Sequence, residues 1–338
     1  MSPIDRPDRA STRQGRLLAV TDLVKHFQIR SRRLFGKSKT VRAVDGVSFE
    51  LDWGETLGIV GESGCGKSTL ARTLLRLETP DGGSCIFDGS DLFGPAPERS
   101  LRRRIQVVFQ DPFAALNPRM TVYEALTEPL RLHPGTLPRE KWPERVRDLL
   151  GRVGLRPEFA QRYPHEFSGG QLQRIGIARA LVLGPDLIVL DEPVSALDVS
   201  IQAQVVNLLE EVQEEFGVAY ICISHDLSIV RHIADRVAVM YLGNFVEIGG
   251  CEDIYASPGH PYTKALLSAE TRIATGRTRR RRILLEGEVP SPIQPPSGCR
   301  FRTRCWLATD KCREVPPPVR NPKTGQVVRC HFPLWDSG

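Results

Sequence analysis

The chain has 338 residues, 41% apolar and 25% charged, a balance that excludes a largely disordered chain and leaves room for one large and one small folded part. A formal net charge of +6 permits contact with nucleic acid or an anionic membrane and establishes neither. No apolar run reaches the roughly eighteen residues that a membrane-spanning helix needs.

Residues 1–15 are polar and contain prolines, without the apolar core of a secretory signal, and read as a tail on a protein that stays in the cytoplasm. From residue 16 the pattern turns β-rich, in LLAVTDLVKHF and AVDGVSFEL, with a basic run, RSRRLFGKSK, at 30–39. Two further basic runs, LRRRI at 101–105 and GRTRRRR at 276–282, read like the first as solvated loops.

The short apolar run Leu57 to Val60 feeds the loop GESGCGKS at 61–68, and an amphipathic helix pattern with Leu70, Leu74, Leu75 and Leu77 follows. This is G-x-x-x-x-G-K-[ST] in the strand–loop–helix setting the motif requires, with a chance match on the order of one in a hundred for such a chain. Gly61, Gly64 and Gly66 let backbone N–H groups of the loop, through Glu62, Ser63 and Cys65, converge on phosphates at a helix N-terminus. Lys67 reaches the β- and γ-phosphates, Ser68 ligates Mg²⁺, and Thr69 supports the first helical turn. Cys65 reads as a small loop residue rather than a redox switch.

Gln110 opens a stretch, 111–184, in which helix-like patterns dominate, so it lies at a hinge beside a nucleotide. Within that stretch, FSGGQLQRIGIARAL offers Ser168 as an N-cap and Gly169-Gly170 as exposed first N–H donors. That is a second anion-binding helix start, and a protomer with one triphosphate cradle has use for it only on a partner's nucleotide. The run Leu187 to Leu190 has the continuous apolar character of a buried parallel strand and ends in Asp191-Glu192, where α/β sheets bind ligands. Asp191 is placed to hold Mg²⁺ and Glu192 to polarise the attacking water. One strand–helix unit later, VAYICISHD ends in His225, which can face the γ-phosphate.

After about residue 265 the chain becomes basic, then proline-rich, and reads as a connector with little core of its own. Cys299, Cys305, Cys312 and Cys330 follow, half of the eight cysteines in the last forty residues. Their C-x5-C-x6-C-x17-C spacing matches neither zinc ribbons nor common ferredoxins, yet in a reducing compartment it favours a metal over disulfides. Four thiolates suit an iron–sulfur cluster or tetrahedral Zn²⁺, with His331 as a substitute ligand. Cys65, Cys85, Cys222 and Cys251 are scattered and read as small core or loop residues. The nucleotide motifs lie wholly outside the cysteine segment, which gives it no evident part in hydrolysis.

Ser168-Gly169-Gly170-Gln171 resembles the ABC-family signature, and with the P-loop, Asp191-Glu192, SALD at 195–198 and His225 it reproduces that family's motif order over about 16–265. The resemblance implies an α/β fold: a P-loop NTPase (RecA-like) core with an antiparallel β subdomain and a helical subdomain inserted at about 111–184. It identifies Gln110 with the family's Q-loop and an Mg²⁺ ligand, and Phe27, in place of the commoner Tyr, with the aromatic that stacks on adenine. It implies a head-to-tail dimer sandwiching two ATPs, with Lys67, Ser68, Gln110, Asp191, Glu192 and His225 on one nucleotide and Ser168, Gly169, Gly170 and Gln171 on the other.

PPSGCRFRTRCWLATDKCREVPPPV is similar to the C-terminal extension of oligopeptide and dipeptide importer ATPases, and implies a small cysteine-rich extension over 266–338. PFAALNPRMTV resembles the second ATPase of such systems. By resemblance the four cysteines bind a 4Fe–4S cluster, with Zn²⁺ as the alternative. The implied function is to energise peptide import from the cytoplasmic face of the plasma membrane. The implied partners are a paralogous ATPase subunit, two permease subunits and, indirectly, an extracytoplasmic solute-binding protein, without nucleic acid. A soluble ABC ATPase acting on DNA or ribosomes, and an importer of nickel or glutathione, are the alternatives.

Overall fold

The computed structural model describes residues 15–29, 38–95, 98–269, 283–321 and 325–337. The expected tail before residue 15, most of the basic run at 30–39 and all of that at 276–282 lie outside the described residues. The chain forms two compact units, each built from separated stretches. Unit one comprises Met1–Ala19, Glu50–Thr56 and Ile86–Ser224, and unit two Val20–Phe49, Leu57–Cys85 and His225–Gly338. These units cut across the chain-order domains expected above, and residues after 265 share unit two with the P-loop.

In unit one the strands Ile105–Val108, Leu187–Asp191 and Ala219–Ser224 pair in parallel, with Ile105 opposite Leu187 and Leu187 opposite Ala219. LIVL and AYICIS are buried at every position, which is why they are continuously apolar instead of alternating. The stretch expected to be helical holds Pro112–Ala115, Val122–Leu132, Trp142–Arg152 and Gly169–Leu181. Helix Val122–Leu132 starts on a reciprocal cap: Glu124 N–H donates to Thr121 Oγ1, and Thr121 N–H donates to Glu124 Oε2. Val122, Leu126 and Leu130, spaced four apart, are buried on one face, at about 1.5–3 kcal/mol each. Helix Val199–Phe216 stops at Gly217, left-handed at φ 61°.

In unit two Leu57–Val60 runs parallel to the strand Arg236–Tyr241, which pairs antiparallel with Asn244–Gly250 across a bulge between Phe245 and Glu247. The cysteine-rich region then lengthens this sheet. Val327–Arg329 pairs with Asn244–Gly250, Val328 opposite Glu247, and Val319–Arg320 pairs with Val327–Arg329 in turn. Its interior joins an existing core: Cys299, Phe301 and Cys312 pack with Val60, Val230, Val239, Tyr241 and Tyr262. Phe301, 1% exposed, stands edge-on to Tyr241 with centroids 5.3 Å apart and packs tilted on Tyr262 at the same distance. The segment with little core of its own thus completes a core belonging to the P-loop's unit.

Candidate functional site

In unit two the phosphate cradle is closed by backbone. A Cβ on Gly66, at φ 115°, would stand 2.0 Å from the Ala43 carbonyl oxygen, and one on Gly61 2.2 Å from that of Met240, so these positions admit only glycine. Helix Lys67–Leu74 begins at Gly66 without a side-chain cap, leaving its first N–H groups facing the loop. Lys67 is buried and donates from Nζ to the carbonyls of Gly61 (2.7 Å) and Glu62 (3.2 Å), which close the loop on itself. Ser63, Gly64 and Ser68 are exposed, so the Ser68 hydroxyl stands open to a ligand, and Thr69 is half-buried beside it. Burial raises the Cys65 thiol above its ordinary value against the pull of Lys67, which makes Cys65 a neutral packing group.

Phe27 is half-buried on the strand Arg16–Ile29, with Lys25 Nζ 5.2 Å from its ring centroid. Its neighbour His26 meets Asp45 at 2.8 Å through Nε2, and Asp45 also takes Arg300 from the cysteine-rich segment. Burial pushes the Asp45 carboxyl up, and the bonds from Arg300 and His26 outweigh it, holding the group below the usual carboxylate range. His225 is exposed, and Asp226 after it caps helix Leu227–Ile233 by accepting from Ser228 N–H.

Unit one carries the acids. Asp191 closes its strand half-buried, and Glu192 follows in a left-handed conformation, φ 49°, rare for a residue with a side chain and concentrated at functional sites. Glu192 N–H donates to Ile223 O at 2.9 Å, which ties this turn to the neighbouring strand. Gln110 Nε2 donates to Glu192 Oε2 at 2.9 Å, so two residues 82 apart in sequence meet as one polar pair. Gln202 Nε2 bonds the carbonyls of Val194 and Leu197 and fixes the SALD turn. Ser168 is exposed and caps helix Gly169–Leu181 with Gln171: Gln171 N–H donates to Ser168 Oγ at 3.4 Å, and Ser168 N–H to Gln171 Oε1 at 3.1 Å. A Cβ on Gly170 would stand 2.4 Å from Ile201 Cγ2. Phe27, the P-loop and His225 therefore fall in unit two, and Gln110, Ser168–Gln171, Asp191 and Glu192 in unit one.

All four tail cysteines carry free thiols, Cys299, Cys312 and Cys330 buried and Cys305 partly so. They lie within electrostatic reach of one another: burial first, then mutual repulsion, pushes Cys305 to about 11 and Cys330 to about 12 and raises Cys299. Backbone N–H groups of Phe301 and Leu307 favour the thiolates of Cys299 and Cys305. Among the described residues no three or more His, Cys, Asp or Glu side chains form a ready metal cage. The donors suit a thiophilic centre in identity, in burial and in their electrostatic reach of one another. His331 meets the Val315 carbonyl through Nε2 at 2.9 Å, which leaves Nδ1 as the nitrogen for any ligand role.

One part of the cradle is not visible in the motif. Arg304, two residues from Thr303's neighbour Arg302 and next to Cys305, grips Glu62 with both arms, Nη1 to Oε2 at 2.6 Å and Nη2 to Oε1 at 3.1 Å. Tyr262 Oη accepts from Glu62 N–H at 3.0 Å, which holds the same residue by its backbone. The signal was available as a mismatch: an acid inside a phosphate-binding loop calls for a cation, and arginines at 300, 302 and 304 alternate around a buried Phe301.

The family model described as ABC transporter matches residues 44–195, and the one described as oligopeptide/dipeptide transporter, C-terminal region, matches residues 246–312. The chain is 56% identical over 324 residues to the oligopeptide transport ATP-binding protein AppF of Bacillus subtilis, covering 94% of this chain and 98% of that one. It is 52% identical to the dipeptide transport ATP-binding protein DppF of Haemophilus influenzae (93% and 96% covered) and 54% identical to the oligopeptide transport ATP-binding protein OppF of Salmonella typhimurium (89% and 92%). Among solved structures it resembles the ATP-binding cassette MJ0796, a dimer bound to ADP and Pi (TM-score 0.60, 27% identity, 69% of this chain and 98% of that one). It also resembles CbiO1 of Clostridium perfringens, part of the ABC transporter complex CbiONQ (TM-score 0.61, 30% identity, 71% and 91%). No helix among the described residues is long and apolar enough to cross a membrane.

Proposed function

The chain belongs to the ABC transporter ATP-binding proteins of the oligopeptide and dipeptide branch, and on that premise we propose how its site works. It hydrolyses ATP to energise peptide import. The observation that carries the mechanism is the Gln110–Glu192 pair at the end of a buried strand.

The cradle at 61–68 receives the phosphates, and Lys67 exchanges the carbonyls of Gly61 and Glu62 for β- and γ-phosphate oxygens. The adenine stacks on Phe27. Ser68, Gln110 and Asp191, an all-oxygen set, would hold Mg²⁺, which would screen phosphate charge. Glu192 accepts a proton as water attacks the γ-phosphorus. A P–O bond forms to the water, the bond to the β-bridging oxygen breaks, and ADP leaves. His225 orients the γ-phosphate. Gln110, at the start of 111–184, reports the γ-phosphate to the helices there.

Ser168, Gly169, Gly170 and Gln171 face the γ-phosphate of a partner in a head-to-tail dimer, and the partner is a paralogous ATPase. Together they drive two permease subunits from the cytoplasmic face of the membrane, served by an extracytoplasmic solute-binding protein. Glu192→Gln tests the mechanism in the assembled transporter. ATP binding should persist and hydrolysis fall by about 10²–10⁴-fold, the usual worth of a general base; normal turnover would sink the assignment.

Cys299, Cys305, Cys312 and Cys330 hold a 4Fe–4S cluster on this reading. Such a centre would supply the cation that buried thiolates need and brace the cysteine-rich segment. Anaerobic purification decides it: iron and sulfide near four per chain support the cluster, and stoichiometric zinc without iron overturns it.

A further inference from the structure

The phosphate cradle contains one acid. Within 61–68 Glu62 alone carries negative charge, in the loop whose task is to hold a triphosphate. A free carboxylate there would repel the ligand, and its mobile side chain would loosen the loop. The fold meets both problems from a segment that the nucleotide motifs do not include.

Arg304 approaches Glu62 as a planar fork, both nitrogens within hydrogen-bond distance of the two carboxylate oxygens. The pair is shielded, with the Arg304 side chain 8% exposed and that of Glu62 26%. The Tyr241 hydroxyl, buried beside it, is a second polar neighbour of the guanidinium, and the two-pronged bond goes to Glu62. On the loop's other side Tyr262 accepts from Glu62 N–H, and Lys67 bonds the Glu62 carbonyl at 3.2 Å. Glu62 is thus held by side chain, N–H and C=O at once. Behind Arg304 stands a rigid support: Phe301, Tyr241 and Tyr262 form one aromatic cluster with centroids 4.7–5.3 Å apart.

We propose that Arg304 is a positioning residue of the nucleotide site: it neutralises Glu62 and fixes the P-loop, so that the cysteine-rich segment sets the chain's affinity for ATP. The inference rests on reading 61–68 as an ATP site. Arg304 itself touches no substrate and acts through Glu62 alone.

The test uses the full chain, Mg²⁺ and a fluorescent ATP analogue, with wild type, Arg304→Met, Arg304→Lys and the double variant Arg304→Met/Glu62→Gln. Arg304→Met should weaken binding about tenfold, within the usual range for a shielded contact pair. Arg304→Lys, which keeps the charge and loses the fork, should fall between. The double variant should return to within about threefold of wild type, because the acid that needed neutralising is gone. The rescue assigns the loss to the uncompensated acid, and the KM-against-kcat split separates positioning from loss of folded protein. In ATPase assays of the assembled transporter the Arg304→Met loss should fall on KM, with kcat nearly unchanged. Wild-type affinity in Arg304→Met, or a double variant no better than the single one, overturns the inference. A wild-type chain that binds no nucleotide overturns the ATP reading and the inference with it.

Discussion

The glycine-rich helix starts at Gly66 and at Gly169-Gly170 are built differently. Gly66 and the helix Lys67–Leu74 are walled by backbone, with the Ala43 carbonyl where a Cβ would go, and the loop before them is tied down by Lys67, Tyr262 and Arg304. Ser168 is exposed and Gly169 and Gly170 half-buried, the start is capped by its own Gln171, and the neighbour of Gly170 is a side-chain methyl, Ile201 Cγ2. A cradle walled by backbone holds its shape whether or not it is filled. A start capped by its own side chains gives up a long 3.4 Å hydrogen bond when a better acceptor arrives. That contrast fits a permanent site on one hand and a surface lent to a partner's nucleotide on the other.

The sharpest way to break the contrast is Gly66→Ala. A side chain at φ 115° costs about 1–3 kcal/mol in backbone strain before the clash with Ala43, so ATP affinity of the single chain should fall about 100-fold or more. Retained affinity, measured by titration, would mean that the wall gives way.

Acid should act next, on the scaffold of unit two. Burial lowers fully enclosed His260 from the ordinary 6.5 to about 3, and its Nδ1 accepts from Tyr262 N–H at 3.0 Å. The unfolded chain takes up a proton through pH 6.5 that the folded one refuses until about pH 3. Stability therefore falls on acidification through that window, by at most about 1.4 kcal/mol per pH unit. His260→Gln should flatten the slope of denaturation midpoint against pH, and an unchanged slope would assign the acid sensitivity to other groups.

Gly170→Ala should cost hydrolysis about tenfold in the assembled transporter, since its Cβ would press on a side-chain methyl, Ile201 Cγ2, and not on a backbone carbonyl. Its single-chain ATP affinity should move by less than about twofold, and a loss there as deep as that of Gly66→Ala would erase the distinction. Ser168→Ala is the mildest, removing about 1 kcal/mol of cap from helix Gly169–Leu181 and lowering hydrolysis a few-fold, read by thermal unfolding and phosphate release.

What could be read in advance follows from how local each feature is. The loop at 61–68, the Asp191-Glu192 strand end and the Ser168/Gln171 cap each lie within a few consecutive residues, where residue type and spacing carry the geometry. The Gln110–Glu192 bond spans 82 residues and followed only from placing both motifs on one nucleotide. Arg304–Glu62 spans 242 and Tyr262–Glu62 spans 200, and no local pattern encodes them. The place of Cys299 and Cys312 in the core of unit two, with Cys305 packed against it, was not legible, because an apolar Phe301 among arginines gives no period to read. Arg304, which bonds Glu62 of the P-loop, stands next to Cys305 in the chain, so the cysteine segment touches the loop through one ion pair.

The strand Val327–Arg329 pairs with Asn244–Gly250, so the sheet that supports the P-loop is edged by residues made long after it. On a ribosome adding about 5–20 residues per second, the 242 residues between Glu62 and Arg304 take on the order of 10–50 s to appear. During that interval the nascent chain carries a complete P-loop sequence whose acid lacks Arg304 and whose sheet lacks the strand Val327–Arg329. On the proposed role of Arg304, the loop at 61–68 reaches its full affinity for nucleotide only once the cysteine-rich segment has been made.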